Sequence, residues 1–407
     1  MSSPFAHVQQ LPRDPVLGIT EAFVADSSPR KVNLGVGVYL DENGHVPLLD
    51  CVQQAEEELL RRKGPHSYVP IDGIAAFDNA VASLIFSGER PSLDERLVTV
   101  QALGGTGALK LGADFLRTTN PSARIWISDP SWENHRALFS AAGFEVETYP
   151  YYRADGGLDF AGLIQTLSSL PSGDILLLHA CCHNPTGLDL EPYQWAEIQA
   201  LAAERGVIPF LDAAYLGFAD GLDADRVAID TFAQAGLPFL VSFSFSKSLS
   251  LYGERVGALA VVTGGAAERG PVLSQIKRIA RTTYSSPPSH GGATVATILN
   301  EPGLTALWHD ELALMRDRIK AMREGLAERL RVQVPDRDFS FITRQRGMFS
   351  YSGLSKEAVE MLRSRFSIYA LDSGRICVAA LNKANLDIVA EAIATVLRES
   401  GEQSLVA

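Results

Sequence analysis

Two observations in the sequence predict an α/β protein built on a mostly parallel, mixed sheet flanked by helices. From about residue 96, short apolar runs alternate with helical patterns at a spacing typical of strand–helix units. Polar residues follow the ends of several of these runs, at the edge where such sheets bind ligands. The length of 407 residues and a distinct C-terminal pattern favour a second, smaller α/β domain.

The elements of the large domain are predicted from apolar runs for the strands and apolar residues at helical spacing for the helices. In chain order, the predicted strands are 97–101, 124–127, 144–149, 175–179, 207–211, 240–245 and 258–262. The predicted helices are 51–63, 74–86, 108–116, 134–142 and 192–204.

The C-terminal part predicts shorter elements, which we expect to pack with a glycine-containing strand at 31–39. Its predicted elements are a helix at 305–330, a strand at 349–351, a helix at 356–365, a strand at 376–378 and a helix at 385–398. The predicted division is an N-terminal arm at 1–15, a small domain made of 16–45 and 316–407, and a large domain at 46–315.

Composition limits the classes of partner. The net charge of −12 argues against nucleic acid or an anionic membrane as the main partner. No apolar run reaches the roughly 18 residues of a transmembrane helix, and the first 15 residues lack the apolar core of a secretory signal. The four cysteines do not form a disulfide framework. We therefore expect a cytoplasmic enzyme.

Lys247 is the strongest candidate for chemistry. It follows the predicted strand at 240–245, whereas most lysines lie at the surface. A lysine beside buried apolar residues has a lowered pKa and forms Schiff bases. Ser244 and Arg255 lie close by in sequence, and a hydroxyl and a guanidinium suit a phosphate. Together these residues suggest pyridoxal phosphate (PLP).

Three further features fit a PLP site, and each has an ordinary structural interpretation. Asp212 ends a predicted strand, where it either caps a helix or pairs with the pyridine nitrogen. Tyr215 is either a core residue or a donor to the phenolate oxygen of the cofactor. The glycine-rich segment 104–107 is either a plain turn or an anion site at a helix N-terminus.

The segment 179–187 contains two histidines and two cysteines, but we expect no metal there. Adjacent cysteines on a strand point to opposite faces, and the sequence has no second Cys/His cluster. The Asn-Pro-Thr-Gly turn at 184–187 is better interpreted as presenting Asn184, whose amide suits a phenolate oxygen or a carboxylate.

Two arginines are candidates for binding carboxylates. Arg375 enters an apolar predicted strand, where it makes either a bidentate contact with a substrate carboxylate or a structural salt bridge. Arg281 lies near a Pro-Pro turn, and by itself it resembles an ordinary surface arginine.

Seven motifs together resemble the fold-type I, PLP-dependent aminotransferases of the aspartate/aromatic family. In chain order they are Ser-Trp-Glu-Asn-His (131–135), Cys-His-Asn-Pro-Thr-Gly (182–187), Ser-Phe-Ser-Lys (244–247), Gly-Glu-Arg-Val-Gly (253–257), Tyr-Ser-Ser-Pro-Pro (284–288), Gly-Met-Phe-Ser-Tyr (347–351) and Ser-Gly-Arg (373–375). The similarity runs from about residue 32 to the last helix. It implies the PLP-transferase type I fold.

The resemblance also implies a role for each candidate residue. Lys247 would carry PLP as a Schiff base and then move the substrate proton, with Asp212 at the pyridine nitrogen and His135 behind it. Tyr215 and Asn184 would bind the phenolate oxygen, and Trp132 would stack on the ring. The implied phosphate ligands are Gly105, Thr106, Ser244, Arg255 and, from a second subunit, Tyr68. The implied substrate ligands are Gly37, Trp132, Asn184, Arg375 and, from a second subunit, Arg281.

Residues 251–255 and 377–382 look more like the bacterial aromatic-amino-acid (tyrosine) branch of this family than its aspartate branch. The resemblance therefore implies amino transfer from tyrosine or phenylalanine to 2-oxoglutarate, with aspartate and glutamate also accepted, in a homodimer with shared active sites. The main alternative is an aspartate aminotransferase proper. A PLP lyase or decarboxylase and a PLP-binding regulatory module are further alternatives.

Overall fold

The computed structural model describes residues 3–10 and 15–400, with the backbone alone for 15–17. Residues 1, 2 and 11–14 of the predicted arm and residues 401–407 of the predicted small domain lie outside this description. The strands are β1 (Val32–Asn33), β2 (Leu97–Leu103), β3 (Ile125–Asp129), β4 (Val146–Pro150), β5 (Ile175–His179), β6 (Ile208–Ala213), β7 (Phe239–Ser244), β8 (Val256–Val262), β9 (Phe349–Tyr351), β10 (Ile368–Tyr369) and β11 (Arg375–Cys377).

The helices surround these strands, and several were not predicted from the sequence. They are α1 (Pro15–Ala25), α2 (Asp50–Arg62), α3 (Ala75–Phe86), α4 (Arg90–Leu93), α5 (Gly104–Thr119), α6 (Glu133–Ala141), α7 (Phe160–Leu167), α8 (Pro192–Arg205), α9 (Val227–Gln234), α10 (Ala266–Thr283), α11 (Ser289–Asn300), α12 (Pro302–Gln333), α13 (Ser340–Arg344), α14 (Lys356–Phe366) and α15 (Leu386–Ser400). The unpredicted ones include α1, α7, α9, α10 and α11.

A seven-stranded sheet in the order β2-β8-β7-β6-β5-β3-β4 forms the large core. Neighbouring strands are parallel except at β8, which is antiparallel to both β2 and β7. This arrangement confirms the predicted mostly parallel, mixed sheet. Every residue of β5, β7 and β8 is buried, as expected for strands covered on both faces.

The alternation of side chains along β7 shows how the sheet separates two cores. Val241 and Phe243 pack into one apolar cluster, whereas Leu240 packs into the cluster on the opposite face. Because β5, β6 and β7 run parallel, their carboxyl ends meet at one edge of the sheet. The polar residues that follow these strands are thereby gathered at a single place.

The N-terminal segment joins the C-terminal elements. β1 pairs in parallel with β10, and β9 pairs with β11 in an antiparallel ladder. The predicted strand at 31–39 is wrong in extent, since only Val32–Asn33 is a strand. The chain leaves the ladder where Gly35 and Gly37 let it approach other groups closely: a Cβ at Gly35 would lie 2.9 Å from Ile19, and one at Gly37 would lie 3.2 Å from Phe349.

Helix α12 connects the two parts of the molecule. It continues without a break from Pro302 to Gln333 and so crosses the predicted domain boundary between residues 315 and 316. The division into two domains stays a prediction. Within the described ranges, no helix combines the length and the apolar character needed to cross a membrane.

Replacing Gly112 by alanine should destabilise the protein. A Cβ at Gly112 in α5 would lie 2.5 Å from the ring of Phe210 in β6, which is fully buried and has no space to move. We expect a loss of about 1–3 kcal/mol in the free energy of unfolding, measured with urea. The control is Gly270→Ala in α10, where nothing lies within 4 Å. That change should be neutral or stabilising by up to about 1 kcal/mol. Equal effects of the two substitutions would contradict the packing argument.

Candidate active site

A cavity of about 240 Å³ opens at the carboxyl edge of the sheet, where the sequence places its candidate residues. The predicted residues that line it are Gly37, Gly105, Thr106, Trp132, Asn184, Asp212, Tyr215, Ser244, Lys247 and Arg255. His135 and Arg375 lie behind this lining and are buried. The structure thus brings together twelve residues that are widely separated in sequence.

Lys247 follows β7, and its side chain is partly accessible through the cavity. The pKa of its amine is lowered to about 8, chiefly by burial; the charge of Asp212 opposes this shift, and Arg255 and Arg375 add to it. The amine lies 4.9 Å from the centre of the Tyr215 ring. The indole N–H of Trp308 in α12 donates to the Ser248 carbonyl (2.8 Å), which holds the turn after the lysine.

Asp212 near the end of β6 has one oxygen bonded and one without a partner. Its Oδ2 lies 2.9 Å from Nε2 of His135, and Nδ1 of His135 lies 2.9 Å from the Ser131 hydroxyl. Its Oδ1 is buried without a hydrogen-bond partner. Burial alone would raise the pKa of this carboxyl, but the His135 hydrogen bond and the charge of Lys247 bring the pKa below its ordinary value. The Asp212 carboxylate therefore lines the cavity with one oxygen free to accept a hydrogen bond.

The start of α5 and the end of β7 form a cup for an anion. The Gly104–Gly107 segment, predicted as a turn, is the first turn of α5, so its free N–H groups carry the positive end of the helix dipole. A Cβ at Gly105 would lie 3.2 Å from Ser244, and one at Gly104 would lie 2.8 Å from the Arg255 guanidinium. Arg255 lies at the exposed rim of the cup, where it donates to the Tyr252 carbonyl (2.9 Å).

Arg375 at the start of β11 is a buried cation that no carboxylate balances among the residues described. It donates to the Asn184 amide oxygen (3.1 Å) and to the Gly35 carbonyl (2.8 Å), and it lies 4.2 Å from the centre of the Phe349 ring. Its Nε is buried without a partner. Because an uncompensated buried charge is costly, this guanidinium is suited to an anionic ligand. The sequence analysis considered a structural salt bridge for Arg375 as the alternative. Arg375 forms no such ion pair with any residue in 3–10 or 15–400.

Among the cavity residues given no role in the sequence analysis are His179 and Tyr252. His179 ends β5 directly beside Asp212, and its buried Nε2 has no partner. Burial, together with neighbouring His135, lowers the pKa of His179 to about 3, so this ring is neutral. The Tyr252 hydroxyl accepts a hydrogen bond from the Tyr39 N–H (2.8 Å) and so links the cavity to the N-terminal segment. The strand-end position of His179 was the available signal.

Two predicted residues do not reach the cavity of their own chain. Tyr68 is 93% exposed. Arg281 in the last turn of α10 is also exposed and donates to the Ser285 hydroxyl. Both were predicted to act from a second subunit.

The orientation argument used for the two cysteines is wrong. Cys181 and Cys182 lie beyond the end of β5, where Cys182 has a φ of 51°, so strand alternation does not apply to them. Their sulfur atoms and a carboxylate oxygen of Asp225 lie within 4.8 Å of one another. The Asp225 oxygens accept hydrogen bonds from three backbone N–H groups, those of Gly217, Ala219 and Asp220.

Comparison with known proteins decides the family. The family model for aminotransferase class I and II matches residues 29–393. The chain belongs to the class I and II aminotransferases. It is therefore a transferase whose substrates are amino acids and oxo acids, and the resemblance seen in the sequence is confirmed.

Relatives of this aminotransferase include members named for both substrate classes. An aspartate aminotransferase of Pseudomonas aeruginosa is 55% identical over 97% of this chain and 100% of the relative. An aromatic-amino-acid aminotransferase of Escherichia coli is 48% identical over the same shares. The solved structure of an aromatic-amino-acid aminotransferase from Burkholderia pseudomallei, covalently bound to pyridoxal phosphate, is 57% identical with a TM-score of 0.95, covering 97% of this chain and 100% of that one. This match confirms the predicted fold.

The pKa of Lys247 should appear in the stability of the cofactor-free aminotransferase. Between about 8 and the ordinary 10.5, the unfolded chain binds more protons at this lysine than the folded chain does. The free energy of unfolding should therefore rise with pH across this window, by up to about 1.4 kcal/mol per unit, relative to Lys247→Met. Urea unfolding at about pH 7.5 and about pH 10 measures this difference.

The control is the exposed Lys63, which makes no strand-end contact. Its substitution by methionine should leave the pH dependence of unfolding unchanged. If wild type and Lys247→Met instead differ by the same amount at both pH values, the amine at position 247 is not desolvated in the folded chain.

Proposed function

We propose that this enzyme transfers the amino group of tyrosine or phenylalanine to 2-oxoglutarate through PLP, and that it also accepts aspartate and glutamate. One observation carries the proposal: the Lys247 amine, whose pKa is lowered, and the Asp212 carboxylate, with a free acceptor, share one cavity, and the buried guanidinium of Arg375, which no carboxylate balances among the described residues, contacts the lining residue Asn184. The amine suits the aldehyde of PLP, and the carboxylate suits its pyridine nitrogen. The guanidinium suits a substrate carboxylate.

The residues present fit PLP. The unpartnered Oδ1 of Asp212 is an acceptor for a protonated pyridine nitrogen, and Trp132 offers an aromatic face beside it. The cup formed by the start of α5, Ser244 and Arg255 suits the phosphate. The Burkholderia pseudomallei relative, which carries this cofactor covalently, supports the same assignment. When bound, PLP supplies an electron sink for the bond that breaks at the substrate α-carbon.

The side chains of this chain then have separate tasks. Lys247 would hold the cofactor and would take the substrate α-proton, because its lowered pKa leaves a neutral amine available near pH 8. Asp212 would accept a hydrogen bond from the pyridine nitrogen, and His135 and Ser131 hold this carboxylate in position. Arg375 fixes the substrate α-carboxylate, which places the α-carbon within reach of the lysine.

The proposed phenolate and carboxylate contacts use the remaining residues. Tyr215 and Asn184 are proposed for the phenolate oxygen, since both line the cavity. Burial raises the pKa of the Tyr215 hydroxyl, so this group stays a hydrogen-bond donor. Gly37, Trp132 and Asn184 are proposed to join Arg375 around the α-carboxylate.

An aspartate aminotransferase with the same mechanism is the second candidate, and the 55% identical Pseudomonas aeruginosa relative supports it. The aromatic assignment draws on the Burkholderia pseudomallei and Escherichia coli relatives and on the motifs at 251–255 and 377–382. The ratio of kcat/KM for phenylalanine to that for aspartate decides between the two candidates.

The quaternary state is proposed to be a homodimer in which each active site takes Tyr68 and Arg281 from the other subunit. In one chain both side chains point to solvent, although the large aromatic ring at position 68 would ordinarily be covered. The proposal also places the enzyme in the cytoplasm and divides it into a small domain (16–45, 316–407) and a large domain (46–315).

Lys247→Ala should slow the half-reaction with amino acids. Loss of the base should slow it by about 10²- to 10⁴-fold, while PLP still binds through the phosphate cup and Asp212. Stopped-flow absorbance of the cofactor-loaded protein mixed with phenylalanine measures the rate. The exposed Lys356→Ala variant should react like the wild type. A half-reaction of Lys247→Ala at the wild-type rate would falsify the role of this lysine.

Arg281→Leu should reduce activity on dicarboxylates selectively. Loss of a charged hydrogen bond to the second carboxylate should lower kcat/KM for aspartate by about 10- to 100-fold, with kcat/KM for phenylalanine nearly unchanged. Arg278→Leu is the control, because this exposed arginine lies one turn earlier on α10. Equal losses for aspartate and phenylalanine would count against a role in substrate choice.

Mixed dimers test whether Arg281 acts across the interface. Co-expressed Lys247→Ala and Arg281→Leu chains should recover about a quarter of the wild-type activity on aspartate, because half of the dimers are mixed and each of these has one complete site. If Arg281 acts within its own chain, no complete site can form and activity stays at the level of the separate variants.

A further inference from the structure

Arg323 in α12 is a buried cation outside the cavity lining. Its side chain is 3% exposed, and burial lowers its pKa to about 10, so it remains charged at neutral pH. Among the described residues, no carboxylate lies within ion-pair distance of its guanidinium. A buried charge without a counter-ion is costly, and an apolar residue of similar size would pack at lower cost. The position therefore calls for an explanation.

The guanidinium of Arg323 binds backbone carbonyls of one segment. It donates to the carbonyls of Ile342 (3.2 Å), Gly347 (2.7 Å) and Phe349 (2.9 Å). Ile342 lies in the short helix α13, Phe349 begins β9, and Gly347 lies in the irregular stretch between them. One side chain thus ties both ends of residues 342–349, which we call the Arg323-bound segment, to α12.

The ring of Phe349, at the end of the Arg323-bound segment, lies at the junction of the substrate-binding residues. It faces the Arg375 guanidinium at 4.2 Å, and its centre lies 5.9 Å from that of Tyr215. A Cβ at Gly37 would lie 3.2 Å from it. Any shift of the Phe349 backbone would therefore move the surface on which Arg375 rests.

The same segment also packs on the turn that presents Asn184. The Arg346 N–H donates to the Gly187 carbonyl (2.6 Å), and a Cβ at Gly187 would lie 3.0 Å from the Phe349 carbonyl. Arg375 itself donates to Asn184. The two groups that face the proposed carboxylate are thus both supported by the segment that Arg323 holds.

We infer that Arg323 is a positioning residue for the substrate α-carboxylate. By holding residues 342–349, it fixes Phe349 and the Asn184 turn, and through them the orientation of Arg375. It touches neither cofactor nor substrate. The inference rests on the proposed role of Arg375.

The test is the binding of a carboxylate that lacks an amino group. Arg323→Met keeps the side-chain length but removes the charge and the donors. We expect the dissociation constant of 3-phenylpropanoate for the PLP-loaded enzyme, measured by calorimetry, to rise about tenfold or more, which is about 1.4 kcal/mol. In turnover, KM for phenylalanine should rise more than kcat falls, and the affinity for PLP should stay within about twofold.

A matched control separates positioning from general loss of stability. Arg226→Met removes a similarly buried arginine, which pairs with Asp223 and lies outside the Arg323-bound segment. It should lower the urea midpoint without changing 3-phenylpropanoate affinity. Wild-type carboxylate affinity in Arg323→Met, or an equal loss in Arg226→Met, would overturn the inference.

Two further variants make the result specific. Arg323→Met and Phe349→Leu should be non-additive for 3-phenylpropanoate binding, because both act on one contact, whereas additive losses would overturn the route through Phe349. If Arg323→Met does not fold, Arg323→Lys replaces it in the same cycle. Arg375→Met should remove carboxylate binding altogether. If that variant binds normally, the proposed function fails at Arg375, a result distinct from a failure at Arg323.

Discussion

The candidate active site depends on a carboxylate and an amine that the sheet holds at a fixed separation at one edge of the protein core. Asp212 lies near the end of β6, and Lys247 lies just beyond the end of β7, its parallel neighbour. The register of the sheet therefore sets the separation of the two residues. His135 occupies only one of the carboxylate oxygens. Burial lowers the pKa of the lysine amine, and the charge of the carboxylate limits this decrease, so that the pKa is about 8. A ligand that spans the two groups satisfies both.

The second requirement is a cation that comes from a different part of the chain. Arg375 belongs to a short ladder outside the large sheet, yet it contacts Asn184 from the end of the sheet and Gly35 from the N-terminal segment. The Tyr252–Tyr39 hydrogen bond joins the same two parts on the other side of the cavity. The proposed substrate-binding end of the cavity is therefore assembled from segments that are remote in sequence, and the positions of its side chains depend on how these segments pack.

The sequence predicts well what local pattern determines. The apolar run of β5 and the alternating apolar and hydroxyl residues of β7 identify strands, and the predicted strand-end residues Asp212 and Lys247 line the cavity. Helix α11 could not be predicted in this way. Gly291 and Gly292 disfavour a helix by propensity, but they are needed because a Cβ there would meet Val256 and Gln101 at 2.3 and 2.4 Å.

Other features depend on tertiary contacts that no local sequence pattern predicts. Arg323 lies in a helix with the usual mixture of charged and apolar residues. Its acceptors are backbone carbonyls some twenty residues later, and because every residue has a carbonyl, the sequence does not identify them. His179 could be noticed from the sequence by its position at the end of a predicted strand, but only the register of the sheet shows that it lies beside Asp212. The proposed second subunit would account for the exposed positions of Tyr68 and Arg281, and a single chain gives no sign of it.

The unbroken course of α12 has a consequence for how sequences of this kind can vary in length. Trp308 supports the turn after Lys247, and fifteen residues later Arg323 supports the segment behind Arg375. At 1.5 Å per residue the two supports stand about 22 Å apart along one axis, and a single inserted residue would rotate one against the other by about 100°. Insertions and deletions are therefore excluded from this span, although surface loops tolerate them, and related chains should keep the spacing even where the intervening side chains differ.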